Sequence, residues 1–462
     1  MESSHSQLLL CFYGDDYTGS VDSMEALMIN GVKTVLFLEV PSLQLLADRF
    51  PDIRAFGVAG ISRSMDPAQM EIELRPILEQ LSTFGTTIVH YKICSTFDSS
   101  PHVGSIGKAI DIGAEVFRRQ AYTPLLVGAP VLKRYTLFGN HYAGVLDRVY
   151  RLDRHPTMSR HPVTPMDESD LRVHLSKQTD KSIALIDIHD LEGDIEDVRQ
   201  RLRTRLASQP EVLLYDVFDA ARLKAAGQLL WEEAVHDSSR FVVGSSGVEY
   251  ALTAFWKECG LVHPKHPDDE NNRSLEAVDQ MLAVSGSCSP VTESQLKYAM
   301  KHGFAGIKVQ TEKLIDPEHS ESVKQLLLSH TADILRTGRS VILYTAMGPE
   351  DANIDSIQQI LRAQGRSAAD TSQLLGTQLG LLTKQILMNN RLGRLLVAGG
   401  DTSGYVTREL GIYAIESLTP IAPGGPLCKG YSEEPRFDGI EIALKGGQVG
   451  SEDYFIRVLE GQ

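Results

Sequence analysis

The stretch Leu8-Leu-Leu-Cys-Phe-Tyr-Gly-Asp-Asp-Tyr-Thr-Gly-Ser20 is a short apolar run that stops at a glycine and two adjacent carboxylates. A continuous apolar run of this length suits a strand buried on both faces, as in a parallel sheet. After it, Val21, Met24, Leu27 and Met28 recur at helical spacing until Gly31. The stretch therefore predicts strand, loop and helix, with Asp15 and Asp16 at the carboxyl end of a first parallel strand. Open α/β sheets put their ligands at that end. A carboxylate pair there can take a proton from a substrate hydroxyl, or hold a hydroxyl or a magnesium ion by charge-assisted hydrogen bonds. It can equally be a loop in which one aspartate caps the following helix.

Outward from this stretch, residues 34–38, 55–58, 87–91 and 125–127 read as further strands, with helices over about 66–81 and 103–119. Pro76 is an awkward interior residue for the first of these helices. Regular alternation of strand and helix predicts a parallel sheet. Residues 131–170 break the pattern: Arg and His are frequent, prolines recur at 156, 162 and 165, and no long period shows. Long segments of this kind inside a domain are usually functional. Alternation returns at 183–188, 212–215 and 241–243.

The polar run 263–274 has nothing apolar to bury and is the best boundary, giving domains at 1–262 and 275–462. Beyond it, 281–284, 306–309, 341–344 and 395–398 are buried-strand candidates separated by helical stretches. The expected fold class is α/β: two domains, each with a mostly parallel sheet flanked by helices, and the active site in the cleft between them. Two domains also suit the length of 462 residues.

Lys plus Arg number 45 against 60 Asp plus Glu, for a net charge of -15, which argues against nucleic acid or an anionic membrane as the main partner. No apolar run approaches the ~20 residues of a membrane span, and no basic region precedes the short N-terminal apolar stretch, so a signal peptide is not expected. Five widely spaced cysteines without a Cys-x-x-Cys pair indicate reduced thiols in a cytoplasmic enzyme and no structural zinc site.

In the second half, Val284-Ser285-Gly286-Ser287-Cys-Ser289 and Val397-Ala-Gly399-Gly400-Asp401-Thr402-Ser403 each end a strand and lead into a helix. Two more glycine turns follow, Ala422-Pro423-Gly424-Gly425-Pro426 and Lys445-Gly446-Gly447-Gln-Val-Gly450. Backbone N–H groups at a helix N-terminus, uncovered by glycine, bind phosphate, and hydroxyls add donors. Singly, each is also readable as a tight turn with an N-cap; together they point to a phosphorylated ligand, a nucleotide first of all. A P-loop is excluded and a dinucleotide fold disfavoured, because neither glycine signature is present. In the first half, Asp15, Asp16, Arg63, Lys92, Ser95, Thr96 and Asp98 fall near strand ends, with Arg134, Asn140 and His141 from the irregular region. Cations, hydroxyls and carboxylates in this mixture suit a small polyhydroxylated acid. Any one of them can instead be a solvated loop residue, and a structural role is the leading reading of His141 and His161.

These motifs resemble the four-carbon acid sugar kinases over nearly the whole chain. The family's Asp-Asp-x-Thr-Gly motif is matched by Asp15-Asp16-Tyr17-Thr18-Gly19, and its Lys-x-x-Ser-Thr motif by Lys92-Ile-Cys-Ser95-Thr96. His161-Pro-Val-Thr-Pro-Met166 resembles a further family stretch, and Arg134 falls where the family has an arginine in a Gly-Arg-Thr turn. Ser285-Gly286-Ser287, Gly399–Ser403, Pro423-Gly424-Gly425-Pro426 and Lys445-Gly446-Gly447 resemble its ATP-binding turns. Where most members continue Ser-Thr-x-Arg-Gly-Asn, this chain has Ser95-Thr-Phe-Asp98-Ser-Ser-Pro101, a form resembling the branch associated with 3-oxo-isoapionate.

The resemblance implies an acid-sugar-binding N-terminal domain and a nucleotide-binding C-terminal domain. It implies transfer of the ATP γ-phosphoryl group, with Mg2+, to a terminal hydroxyl of 3-oxo-isoapionate or of a four-carbon acid such as 3-oxo-tetronate, threonate or erythronate. Asp15 or Asp16 is then the base, and Thr18, Arg63, Lys92, Ser95, Thr96, Asp98, Arg134, Asn140 and His141 the candidate substrate contacts; the metal ligands stay unassigned. A homodimer is the base-rate expectation for a soluble enzyme. The rivals are a two-domain sensor that binds without turnover and an oxidoreductase that binds NAD(H).

Overall fold

A computed structural model describes residues 8–145, 147–161, 163–235, 239–263, 275–351 and 368–462. The chain divides into two compact units, Met1–Lys265 and His266–Gln462. Of the linker expected at 263–274, all but its first residue lies outside the described residues.

In the first unit, the opening stretch forms β1 (Leu10–Gly14) and α1 (Tyr17–Ile29). There follow β2 (Thr34–Phe37), α2 (Leu43–Arg49), β3 (Ala55–Ala59), α3 (Pro67–Leu81) and β4 (Ile88–Lys92). Asp66 caps α3 through a capping box with Gln69, and the helix runs through Pro76, whose position is exposed. Next come α4 (Ile106–Val116) and β5 (Thr123–Leu126). α4 is shorter than expected because Gly104, at φ +59°, and the Ser105 N-cap set its start.

The region expected to be irregular contains a three-stranded antiparallel sheet, β6 (Arg134–Leu137), β7 (Asn140–Val145) and β8 (Arg148–Arg151). Leu137 faces Asn140, leaving Phe138 and Gly139 as a two-residue loop with φ +50° and +81°. Both values are positive, as the turn that best matches strand twist requires. The chain continues through α5 (Leu171–Leu175), β9 (Ile183–Ile186), α6 (Ile195–Leu206), β10 (Val212–Tyr215), α7 (Ala220–Val235), β11 (Arg240–Gly244) and α8 (Gly247–Glu258).

The main sheet of this unit has the order β2-β3-β1-β4-β11-β5-β10-β9, and every pairing in it is parallel. β1, β4 and β11 are buried along their whole length, which explains their unbroken apolar character. The chain leaves β1 to build β3 on one side and returns to build β4 on the other. The crevice beyond the carboxyl ends of β1 and β4 is thus a topological switch point, the usual ligand position in such sheets.

The second unit repeats this plan. β12 (Leu282–Ser285), α9 (Pro290–Lys301), β13 (Ala305–Lys308), α10 (Thr311–Leu314), α11 (Ser320–Leu335) and β14 (Val341–Tyr344) are followed by α12 (Ala368–Asn389), β15 (Arg394–Ala398) and α13 (Gly400–Glu409). The sheet runs β13-β14-β12-β15, all parallel, so β12 and β15 flank a second switch point. It continues through β18 (Glu441–Lys445), parallel to β15, to β17 (Gly425–Ser432) and β16 (Ile412–Ala422), which are antiparallel. α14 (Tyr454–Glu460) closes the unit, and its Tyr454, Phe455 and Val458 join Met281, Leu296, Ile342, Leu396 and Leu427 in one core.

Candidate active site

Gly14, the last residue of β1, lies opposite Lys92, the last residue of β4, so the chain delivers Asp15 and Lys92 to the same end of the sheet. Asp15 is buried, and Arg63 grips both its oxygens: Nε donates to Oδ2 at 3.0 Å and Nη2 to Oδ1 at 2.6 Å. Burial raises the Asp15 carboxyl above the usual carboxylate value, with Arg63 acting against that rise. For Arg63 burial works against the charge, but Asp15 and Asp16 more than offset it and hold the guanidinium well above its ordinary value.

Asp16 differs. Its Oδ1 accepts from the Gly19 N–H at 2.9 Å as the N-cap of α1 and meets Arg63 Nη2 at 2.8 Å. Among the described residues its Oδ2 has no partner, and the side chain is 29% exposed. The helix cap thus occupies one oxygen of this carboxylate and leaves the other open. A Cβ on Gly19 would lie 2.5 Å from Asp16 Oδ1 and 3.0 Å from Lys92 Nζ, so only glycine fits between them. Lys92 is buried and meets Asp22 of α1 at 3.5 Å. Burial opposes its charge, but Asp22, Asp15 and Asp16 together hold it above the ordinary lysine value.

Thr18 lies half-buried in the first turn of α1. After Lys92 the chain turns tightly: the Phe97 N–H donates to the Cys94 carbonyl at 3.0 Å, and buried Phe97 takes φ +60°. Thr96 Oγ1 donates to Asp98 Oδ1 at 2.6 Å and lies 3.0 Å from Cys94 Sγ. Burial pushes the Cys94 thiol up to about 11, so it stays protonated at neutral pH. Arg134, at the start of β6, gives Nη1 to the carbonyls of Leu132, Lys133 and Gly144, while its buried Nε has no hydrogen-bond partner. Burial lowers its pKa from the ordinary arginine value.

Two expected contacts are already engaged within the protein. His141 is fully buried: its ring faces Thr136 Oγ1 at 3.0 Å and the Ser95 carbonyl at 2.8 Å, so it braces the Ser95 loop rather than offering a surface to substrate. Burial pushes its pKa down to about 4, keeping the ring neutral. Asn140 Oδ1 accepts from Ser169 Oγ at 2.8 Å, which commits that oxygen to holding the start of β7.

In the second unit three of the four glycine turns converge. A Cβ on Gly286 would fall 2.1 Å from Thr402 Oγ1, and one on Gly447 would fall 2.8 Å from Ser287 Oγ, so bare backbone is needed where the turns touch. Gly399 adopts φ +124° at the mouth of α13. Ser289 caps α9, accepting from the Thr292 N–H at 3.1 Å and donating to the Gly447 carbonyl. Gly286, Ser287, Gly399, Gly400, Asp401, Thr402 and Gly447 line a cavity of about 540 Å³, together with Leu375 and Gly376 of α12. Ser285 Oγ is buried without a hydrogen-bond partner, while Ser403 Oγ is spent on the Gly399 carbonyl at 2.8 Å.

Lys445, last in β18 and followed by Gly446, is buried with Nζ donating to Thr292 Oγ1 at 3.2 Å. The Thr292 hydroxyl lies 3.0 Å from both Ser287 Oγ and the Gly447 carbonyl. No carboxylate among the described residues pairs with Lys445, and burial alone pushes it down to about 8. The fourth turn, Pro423-Gly424-Gly425, connects β16 to β17, Gly425 accepts from the Tyr454 hydroxyl at 2.9 Å, and the turn lies outside the lining of this cavity.

Asp22 and Thr292 were not expected as site residues, and Ser289 only as the last residue of the first glycine turn. Ser289 before Pro290 is a readable N-cap signal; the bond from Lys445 to Thr292 spans 153 positions and has no local trace.

The family model described as a sugar-binding N-terminal domain matches residues 10–252, and one described as a nucleotide-binding C-terminal domain matches 282–455. The chain is 44% identical over 455 residues to a 3-oxo-isoapionate kinase of Paraburkholderia graminis, covering 98% of this chain and 95% of that protein. It is 26% identical to a 3-oxo-tetronate kinase of Pseudomonas savastanoi, covering 100% and 99%. A crystal structure from Salmonella typhimurium matches with TM-score 0.74 at 23% identity, covering 98% of each chain, and bears on the fold alone. With both family models matched in order and a kinase relative aligned nearly end to end, the chain belongs to the four-carbon acid sugar kinase family.

Proposed function

We propose that this protein transfers the γ-phosphoryl group of ATP to a terminal hydroxyl of a small acid sugar, with 3-oxo-isoapionate as the first candidate and 3-oxo-tetronate as the second. The observation that carries this reading is a division of labour. One unit holds an aspartate with one uncommitted oxygen among fixed cations; the other holds a buried lysine without a counter-charge beside a glycine-lined cavity. Phosphoryl transfer needs little beyond positioning and charge neutralisation, and these groups supply both.

Asp16 is assigned as the base, through Oδ2, because Asp15 has both oxygens occupied by Arg63. Asp15 then positions Arg63. Lys92 and Arg134 provide the positive field for the acceptor carboxylate, with Thr18, Ser95, Thr96 and Asp98 as hydroxyl partners. In the second unit the N-termini of α9 and α13 and Lys445 receive the phosphates. No group of three or more acidic, His or Cys side chains able to hold a metal is found among the described residues. Magnesium ordinarily binds through one or two carboxylates plus substrate phosphates, and Asp401 on the cavity wall fits that pattern. When bound, it neutralises phosphate charge.

Transfer requires the acceptor hydroxyl to meet the γ-phosphorus, so this reading requires both units for turnover. The 44% relative and the Ser95-Thr-Phe-Asp98 form favour 3-oxo-isoapionate as acceptor. We place the enzyme in the cytoplasm, as a homodimer; no helix among the described residues is long and apolar enough to cross a membrane. The sensor reading is not favoured, since the curated relatives are named kinases. ADP release from Mg-ATP, screened against 3-oxo-isoapionate, 3-oxo-tetronate, threonate and erythronate, tests the proposal. Turnover is expected to be fastest with 3-oxo-isoapionate; tight nucleotide binding without turnover on any acid would favour the sensor.

A further inference from the structure

We propose that the small sheet β6–β8 sets the acceptor loop 93–98 through one hydrogen bond, from His141 Nε2 to the Ser95 carbonyl, making His141 a positioning residue for acceptor binding. The inference rests on the reading of that loop as the acceptor site.

The support beneath the bond is rigid. Thr136 exchanges two backbone hydrogen bonds with Val217, just after β10, at 2.9 and 3.0 Å, and so ties the small sheet to the main one. Its buried hydroxyl lies 3.0 Å from His141 Nδ1, across a ladder in which Thr136 and His141 are directly paired. The β6–β7 turn is anchored separately: the buried Asp216 carboxylate accepts from both Phe138 N–H and Gly139 N–H. Because the Ser95 carbonyl can only accept, Nε2 carries the proton, and Nδ1 is left to accept the Thr136 hydroxyl. A neutral ring with the proton on Nε2 satisfies both contacts.

The position of this bond gives it leverage. Cys94 to Phe97 form a four-residue turn closed by the Phe97 N–H and the Cys94 carbonyl. In such a turn the central peptide, here Ser95–Thr96, is the unit whose orientation distinguishes one turn type from another. His141 holds the carbonyl of that peptide, so the Thr96 N–H is fixed on the opposite face of a trans unit. Thr96 in turn fixes Asp98 through its hydroxyl. A residue that a ligand never touches thereby orders the groups that would.

The test compares His141→Leu with His141→Gln, which keeps an N–H donor of similar reach. The Leu variant is expected to raise acceptor KM roughly three- to tenfold, the loss of one hydrogen bond, with ATP KM unchanged, and the Gln variant to restore most of the loss. In the wild type, ¹⁵N spectra should show a neutral histidine protonated at Nε2 down to pH 5 whose signal is lost in the Leu variant, and the Thr96 amide signal should move in that variant. Equal shifts in both KM values, an unchanged acceptor KM, or a Gln variant no better than Leu would overturn the assignment. If the wild type turns over no acceptor, the kinase reading fails by itself. The spectra then decide the positioning claim, which is lost if the Thr96 amide is unmoved in His141→Leu.

Discussion

The two switch points share a strand order, β2-β3-β1-β4 in one unit and β13-β14-β12-β15 in the other, yet their chemistry is opposite. At the first, every cation arrives paired: Asp15 and Asp16 meet Arg63, and Lys92 meets Asp22. At the second, charge is left open: Lys445 meets the Thr292 hydroxyl and the face of the Tyr454 ring, with no carboxylate among the described residues, and burial pushes it down to about 8. An uncompensated buried cation is costly, and a polyanion is the ligand that removes the cost. A cluster whose cations are already paired would, on the proposed reading, orient a small acceptor without holding it too tightly. On the proposed reading, the same topology would serve as acceptor site or phosphate site according to whether its ions arrive paired.

The sharpest way to break this contrast is Asp16→Asn. We expect kcat to fall by about 10²–10⁴, with ATP binding by calorimetry unchanged, because the amide keeps the oxygen that caps α1. Next is Lys445→Met, which should weaken ATP by about ten- to hundredfold, the range for hydrogen bonds to charged groups, while acceptor KM holds. The pH dependence follows from the same lysine. Phosphate favours the charged form, so bound Lys445 titrates above its free value of about 8. Affinity should be flat below that pH and fall above it, by up to about tenfold per unit, with proton uptake on binding at pH 8.5 measurable in two buffers. Lys445→Met should abolish the uptake. The smallest effect is expected at the turn that lies outside the cavity lining. Gly424 sits at φ +74° in the β16–β17 hairpin with open space where a Cβ would be, so Gly424→Ala should cost about 1–2 kcal/mol of stability and leave ATP KM alone.

Legibility followed locality. The buried runs of β1, β4 and β12 and the polar turns behind them could be read because strand, loop and helix cap are each encoded within a few residues. The sheet β6–β8 could not. Its turn uses Phe138-Gly139 where Asn-Gly is the usual signal, and the positive φ at Phe138 is supported by Asp216, about 78 positions away. The roles of Asp15 and Asp16 were equally hidden: adjacent and identical in type, they are distinguished by Arg63, 48 positions downstream of Asp15. Among the glycine turns, spacing grouped four, whereas packing around Thr402 and Ser287 selects three. The stretch of α3 beyond Pro76 was doubtful from propensity and persists because Met70, Leu74, Leu78 and Leu81 bury one face while the proline stays outside.

The most direct measurement follows the phosphoryl group itself, by ³¹P NMR of Mg-ATP with 3-oxo-isoapionate and either the wild type or Asp16→Asn. The account predicts a phosphate monoester of the acid accumulating with ADP in the wild type, and ATP left intact by a variant that still binds it. Equal transfer by Asp16→Asn would contradict the assigned base, and release of inorganic phosphate alone would contradict the kinase.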